Sequence, residues 1–155
     1  MNKAFVKETD DAGASNVLPD RPIPSGPNYV TAKGLAQIEE MIALTEEKHT
    51  AARAANDSNE VARAERDIRY WTAQRATAQL VDASPSCGKV EFGSTVTIRK
   101  ADDREQTFRI VGIDEADPNE GTLSHISPLA KALLGRRMGE EITFGPTRAE
   151  ITKIR

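Results

Sequence analysis

Apolar residues between positions 30 and 82 recur at alternating intervals of three and four, the spacing of two antiparallel helices packed along one seam. The first stripe is made of Leu35, Ile38, Ile42, Thr45, His49 and Ala52. The second stripe is made of Val61, Ala64, Ile68, Trp71, Arg75 and Ala78. The turn-favouring run NDSNE, residues 56–60, separates the two stripes. The pattern therefore predicts a coiled-coil hairpin over residues 30–82, roughly 35 to 40 Å long and with its tip near residues 56–60.

From residue 88 onward the apolar period becomes two, which indicates β-strands with one buried face. The alternating apolar positions are Val90, Phe92, Val96, Ile98, Phe108, Ile110, Leu123, Ile142, Phe144, Ile151 and Ile154. Turn-forming residues lie at 101–103 and 117–121. We therefore expect an α+β fold in which residues 83–87 link the hairpin to a mostly antiparallel β domain over residues 88–155.

One short helix is predicted inside this strand-rich zone, in the run SPLAKALLGRR at residues 127–137. Ser127 is suited to accept hydrogen bonds from the first turn, and Pro128 loses nothing at the first helical position. Gly135 is suited to end the helix in the left-handed conformation. Arg136 and Arg137 then lie at the negative end of the helix dipole, which is one sufficient reason for two arginines there.

The first 29 residues have the composition of a flexible tail. Four of the eight prolines in the chain, at positions 19, 22, 24 and 27, fall within this segment. It contains too few apolar residues to offset the entropy lost on ordering. Docking of its few apolar side chains on a partner is the alternative.

Composition excludes several classes of function. A net charge of −3 is too mild for autonomous binding of nucleic acid, and 5% aromatic residues cannot line a broad apolar site. Cys87 is the only cysteine, and His49 and His125 are the only histidines and stand alone, which argues against a disulfide, a zinc site and nucleophilic catalysis. The absence of a long apolar run leads us to expect a soluble, cytoplasmic protein.

Three blocks of the chain resemble the carboxyl domain of the bacterial Gre transcript-cleavage factors. The blocks are GKVEFGSTVTI at residues 88–98, FRIVGIDEAD at residues 108–117 and ISPLAKALLGRRMGEEI at residues 126–142. RYWTAQRATAQLVD, at residues 69–82, is similar to the end of the coiled-coil hairpin in that family. The resemblance covers roughly residues 30 to 155 and leaves the tail unexplained.

The resemblance implies an FKBP-like carboxyl domain that binds the rim of the secondary channel of bacterial RNA polymerase while the hairpin enters the channel. In the family the strand-to-helix corner contacts the rim. The corresponding residues of this chain are Ser124, Ile126, Ser127 and Pro128, with Arg136 and Arg137 as nearby basic candidates. The resemblance also implies a monomer that touches nascent RNA only indirectly.

The tip of the hairpin has two interpretations. In the family an aspartate and a glutamate three residues later help to hold a transient Mg²⁺ in the polymerase active site, and Asp57 and Glu60 have that spacing. The same spacing is typical of a capping box that starts the second helix. Both arms are shorter than is usual in the family, by about seven and ten residues, which removes roughly 10 to 15 Å of reach. We therefore favour capping and expect no cofactor of the chain's own.

Arg63, Arg66 and Arg69 recur at intervals of three along the second helix. The resemblance implies that such residues face the transcript, whereas the interleaved Glu65 and Asp67 favour a solvated face with local ion pairs.

Two rivals to a polymerase-binding regulator without an active site of its own stay open. One is a generic adaptor whose hairpin pairs with another helix. The other is a peptidyl-prolyl isomerase, which the fold would allow. We expect no isomerase because strand alternation places Phe92, Phe108 and Phe144 in the core, and both tyrosines and Trp71 outside the β domain.

Overall fold

A computed structural model describes residues 16–82 and 88–155 of the chain, so residues 1–15 of the predicted tail and the predicted linker at 83–87 lie outside it. The described residues form a helical hairpin followed by a β domain, which confirms the α+β class. The hairpin consists of α1 (Ala32–Ala54) and α2 (Ser58–Thr77). Within the described residues, none of the helices has the length and apolarity needed to cross a membrane.

The predicted seam holds along α1 but departs from the structure in the last turns of α2. Ile38, Thr45 and Ala52 of α1 are buried, as the first stripe predicts. In the last turns of α2, Trp71 is only half-buried and Arg75 is exposed, while their neighbours Tyr70 and Gln74 are buried. The prediction for the second stripe is therefore wrong at the base of α2, where each buried residue lies one position before the predicted one. The reason is tertiary: these two side chains face the β domain rather than α1 alone.

The second helix ends five residues before the predicted boundary at residue 82. Residues Ala78–Leu80 form β2, which pairs in parallel with β1 (Asn28–Val30). The side-chain amide of Asn28 donates to the carbonyl of Gln74 at 3.0 Å and so satisfies one of the orphan acceptors of the last turn. A helix cannot continue here because residues 78–80 use their backbone groups in the β1–β2 ladder.

The β domain is a five-stranded sheet with the order β5-β4-β3-β7-β6. Its strands are β3 (Thr95–Lys100), β4 (Glu105–Val111), β5 (Thr122–Ser124), β6 (Glu141–Phe144) and β7 (Thr147–Ile154). The β3–β4, β3–β7 and β6–β7 ladders are antiparallel as predicted, but β5 pairs in parallel with β4, so the sheet is mixed. The connection from β4 to β5, which includes a 3₁₀ turn at Pro118–Glu120, carries the chain back along the edge of β4, so that β5 starts beside Arg109 and runs in the same direction as β4.

The core of the β domain lies between one face of the sheet and α3 (Pro128–Leu133). Val96, Ile98, Ile110 and Ile151 are fully buried, as the period-two pattern predicts. From α3, Ala130 and Leu133 complete the core.

Residues 16–27 have no regular secondary structure, yet they lie along α2 instead of projecting freely. The amide of Asn16 donates to Asn59 near the tip at 2.8 Å, and Asp20 accepts from Arg69 at 2.6 Å. Residue 28, inside the predicted tail of residues 1–29, already belongs to β1. The prediction of a flexible tail overlooked these partners because they are polar contacts that an apolar pattern does not register.

Candidate functional site

The corner between β5 and α3 is held by its own hydroxyl groups. The Ser127 hydroxyl accepts from the amide of Ala130 at 3.2 Å, which confirms it as the N-cap. The Ser124 hydroxyl accepts from the amide of Ile126 at a longer distance of 3.4 Å. Pro128 is exposed, whereas Ser124, Ile126 and Ser127 are half-buried. The corner therefore presents Pro128 to solvent on a locally fixed backbone.

Arg136 and Arg137 lie beyond the opposite end of α3, about 9 Å of helix away from Pro128. Gly135 adopts φ 80° and ends the helix as predicted. Both arginines are exposed, and Arg136 forms an ion pair with Glu140 at 3.6 Å. An exposed pair of this kind contributes little to stability. Because both arginines are exposed, their guanidinium groups are accessible to a partner.

A cluster of rings supports the corner from behind. His125 is buried, and its ring centroid lies 5.4 Å from Tyr29 and 5.7 Å from Phe92. Burial lowers the pKa of His125, because no partner among the described residues stabilises its charged form. Tyr29 thus packs against the β domain, and the expectation that both tyrosines lie outside it is wrong for this residue.

The tip of the hairpin has the geometry of a helix cap. One carboxylate oxygen of Asp57 accepts from the amides of Asn59 at 3.2 Å and Glu60 at 3.1 Å. The Glu60 carboxylate does not return to the cap, as a full capping box requires; it forms an ion pair with Arg63. Asn56 adopts φ 53°, a left-handed conformation that asparagine tolerates well. Asp57 is therefore the N-cap of α2 and Glu60 lies in its first turn, and each carboxylate already has a partner within the chain.

The three arginines of α2 also have partners within the chain. Arg63 contacts Glu60, and Arg66 lies 3.4 Å from Asp67. Arg69 binds the carboxylate of Asp20 and donates to the carbonyl of Leu18 at 3.1 Å. The interpretation as a solvated face with local ion pairs describes this geometry, although the partner of Arg69 comes from the tail, which periodicity along the helix could not reveal.

Two acidic residues that the sequence reasoning did not single out lie at the junction between hairpin and β domain. Asp114 accepts from the hydroxyl of Tyr70 at 2.6 Å, and Glu115 accepts from the hydroxyl of Thr31 at 2.5 Å. The signal available in the sequence was the acidic pair that follows the end of β4 after Gly112 and Ile113, inside the block that carries the resemblance. Within the described residues, no group of three or more histidine, cysteine or acidic side chains is arranged to hold a metal ion.

Comparison with known proteins places these features in a family. Residues 84–155 match the family model described as transcription elongation factor, GreA/GreB, C-terminal. The transcription elongation factor GreA of Chloroflexus aggregans is 33% identical over 153 residues, which cover 83% of this chain and 98% of the relative. GreA of Desulfovibrio desulfuricans is 41% identical over 91 residues, but that match covers 57% of this chain and only 56% of the relative. The chain therefore spans about half the length of some relatives and nearly all of another.

Among solved structures, the GreA factor homolog 1 (Gfh1) of Thermus thermophilus covers 84% of this chain and 99% of its own, with 19% identity and a TM-score of 0.41. That score is too low to support a structural argument.

Proposed function

Because the chain belongs to the GreA/GreB family of transcription elongation factors, we propose that it binds bacterial RNA polymerase through the corner around Pro128 and regulates elongation by inserting its hairpin into the secondary channel. In this proposal the protein acts as a monomer, has no active site of its own, and meets nascent RNA only through the polymerase. Arg136 and Arg137 add positive charge at the far end of the same helix.

The observation that carries the proposal is the separation of the two parts. Pro128 is exposed on a corner fixed by Ser127, so a partner can bind there without disturbing the core. The 23 residues of α1 extend about 35 Å from the junction, and the hairpin meets the β domain through residues at its base. A docking domain and a projecting arm are the two parts that insertion requires.

Assistance to transcript cleavage is the second candidate, and the spacing of Asp57 and Glu60 is what favours it. The two carboxylates fit a shared Mg²⁺ poorly. One oxygen of Asp57 already accepts two amides, and the guanidinium of Arg63 at Glu60 opposes a divalent cation. We therefore place regulation by occupying the channel ahead of cleavage.

The test is binding to purified bacterial RNA polymerase. We expect Pro128→Glu to weaken binding at least about tenfold, because a charge at the centre of an interface must be desolvated. Gln106→Glu is the matched control: it adds the same charge at an exposed position near the opposite end of β4 from the β5 pairing. Circular dichroism checks that both variants fold. A wild-type chain that fails to bind polymerase, or a Pro128→Glu variant that binds as well as the control, would overturn the proposal and favour a generic adaptor.

A further inference from the structure

The bases of the two helices are attached to the β domain by two adjacent carboxylates. Asp114 accepts hydrogen bonds from the hydroxyl of Tyr70, at 2.6 Å, and from the side-chain amide of Gln74. Both donors belong to α2 and are buried, with 7% and 1% of their surface exposed. Asp114 thus holds the end of the second helix.

Glu115 holds the start of the first helix. One of its oxygens accepts from the backbone amide of Thr31 at 3.0 Å and from the amide of Gly112 at 2.8 Å, and the other accepts from the Thr31 hydroxyl at 2.5 Å. Thr31 is itself the N-cap of α1, since its hydroxyl accepts from the amide of Gly34 at 3.1 Å. The first turn of α1 contains no acidic residue, so Glu115 supplies from the other domain the negative charge that a helix N-terminus favours.

The two parts approach each other so closely that a Cβ atom at either of two glycines would crowd the junction. A Cβ atom at Gly34 would lie 2.5 Å from the carboxyl carbon of Glu115. A Cβ atom at Gly112 would lie 2.8 Å from the carbonyl oxygen of Tyr29 and 2.8 Å from Glu115. The backbones therefore fit around the carboxylate of Glu115, which leaves the junction little freedom to rearrange while that group is in place.

We propose that Asp114 and Glu115 are positioning residues that fix the direction of the hairpin relative to the β domain, and so present the tip at a set distance and angle from the corner at Pro128. The inference rests on the proposed function, in which the corner docks and the hairpin inserts. A single attachment would leave the hairpin free to pivot. Two attachments, one on each helix, remove that freedom.

The chemistry suits orientation better than stability alone. Asp114 is exposed and Glu115 only half-buried, so these side chains contribute little through the burial of apolar surface, and their contribution lies in their hydrogen bonds. Hydrogen bonds to a charged acceptor are directional and stronger than neutral ones, so four of them across the junction select one arrangement. The raised pKa of Tyr70, which burial and the neighbouring Asp114 push to about 12, keeps that hydroxyl a donor at ordinary pH.

The mechanical part is tested by spin labels on cysteines introduced at Ala54 and Gln106, both exposed, in a Cys87→Ser background. Pulsed electron resonance then measures the distance from tip to β domain in the full chain. We expect one narrow distance distribution for the parent and a broad or shifted one for the double variant Asp114→Asn/Glu115→Gln. In each substituted side chain an NH₂ group replaces one carboxylate oxygen and faces a donor, so it cannot accept the hydrogen bond. Glu120→Gln is the matched control, because its carboxylate has no hydrogen bond or ion pair among the described residues.

The functional part uses the same unlabelled variants with RNA polymerase. We expect Asp114→Asn/Glu115→Gln to bind polymerase within about twofold of wild type, because the corner is intact, but to lose about tenfold or more of its effect on elongation, since a small misplacement of a positioned group is costly. If the double variant does not fold, Tyr70→Phe, which removes one donor to Asp114, replaces it in both measurements.

The outcomes separate this inference from the proposed function. Unchanged distances in the double variant, or altered distances with full effect on elongation, overturn the positioning role. A wild-type chain that does not bind polymerase overturns the proposed function, and the distance measurement then decides alone whether the two carboxylates fix the hairpin. Altered distances together with retained binding and lost effect support both.

Discussion

The guanidinium carbon of Arg21 lies 3.7 Å above the centroid of the Tyr70 ring, a cation–π contact between the N-terminal segment and the base of the hairpin. The same guanidinium group lies 5.4 Å from the ring centroid of Trp71 and 3.5 Å from the carboxylate of Asp67. Residues 16–27 are therefore attached to α2 by a half-buried cation, and not only by exposed ion pairs.

Arg21→Ala should release this segment from α2. The expected loss is about 0.5 to 2 kcal/mol in the free energy of unfolding, since the contact is only partly desolvated. Amide hydrogen exchange of residues 16–27 should accelerate while that of the β domain stays unchanged. Arg148→Ala is the control, because this exposed arginine has no ion pair or ring contact among the described residues. Equal exchange in the two variants would show that Arg21 does not hold the segment.

Ionisation of Tyr70 should lower the stability of the fold at alkaline pH. Its pKa in the folded chain is raised to about 12 from the ordinary value of 10.0, mainly by burial and then by Asp114. The raised value means that the protonated hydroxyl stabilises the fold fully below pH 10 and that this contribution is lost as pH rises towards 12.

Denaturant unfolding at a series of pH values checks this. Tyr70→Phe should cost about 1 to 2 kcal/mol at pH 8, because Asp114 loses a donor. Its stability should fall less steeply than that of wild type between pH 10 and 12. Parallel pH curves for the two proteins would contradict the assignment.

The effect of Gly34→Ala on the free energy of unfolding should depend on whether Glu115 is present, and should change sign when Glu115 is replaced. Alanine in a helix is worth up to about 1 kcal/mol over glycine, but its Cβ would displace the carboxylate of Glu115, which holds the helix start. We expect Gly34→Ala to destabilise the wild-type chain and to stabilise the Glu115→Ala variant. A double-mutant cycle of unfolding free energies measures the difference. Additive effects would mean that the two residues do not compete for the same space.

Asp57→Ala should lower stability while leaving transcript cleavage nearly unchanged. Loss of the N-cap costs about 1 kcal/mol, and Asp57→Ser should restore most of it because serine also caps. Cleavage in a backtracked elongation complex supplies the functional readout. If both variants abolish a strong wild-type cleavage activity, the carboxylate itself is needed and the second candidate function replaces the first.

His125 should make the stability of the fold depend on pH in the acid range. Burial lowers its pKa below 6.5, so its neutral form contributes stability that is present above pH 6.5 and lost as pH falls through the folded value. His125→Phe should flatten the stability curve between pH 4 and 7, which thermal unfolding can follow. An unchanged curve would indicate that other groups control acid unfolding.

Local patterns were sufficient for much of this protein. Alternation placed Val96, Ile98, Ile110 and Ile151 in the core, because each strand must bury one face whatever it pairs with. The ends of α3 followed from Ser127 and Gly135, since caps depend on neighbours only a few residues away.

The sequence by itself determined the elements whose stabilising partners are close along the chain, and it carried the blocks that identify the family. Only the tertiary structure decided the parallel pairing of β5, the end of α2 at Thr77, the burial of Tyr70 and Gln74, and the attachment of Arg69 to Asp20. Each of these depends on a partner that is more than ten residues away along the chain, and a hydrogen bond or ion pair between such residues leaves no periodic trace in either segment. The junction made by Asp114 and Glu115 also depends on such distant partners. The sequence pattern therefore could not show that these two acidic residues join the hairpin to the β domain.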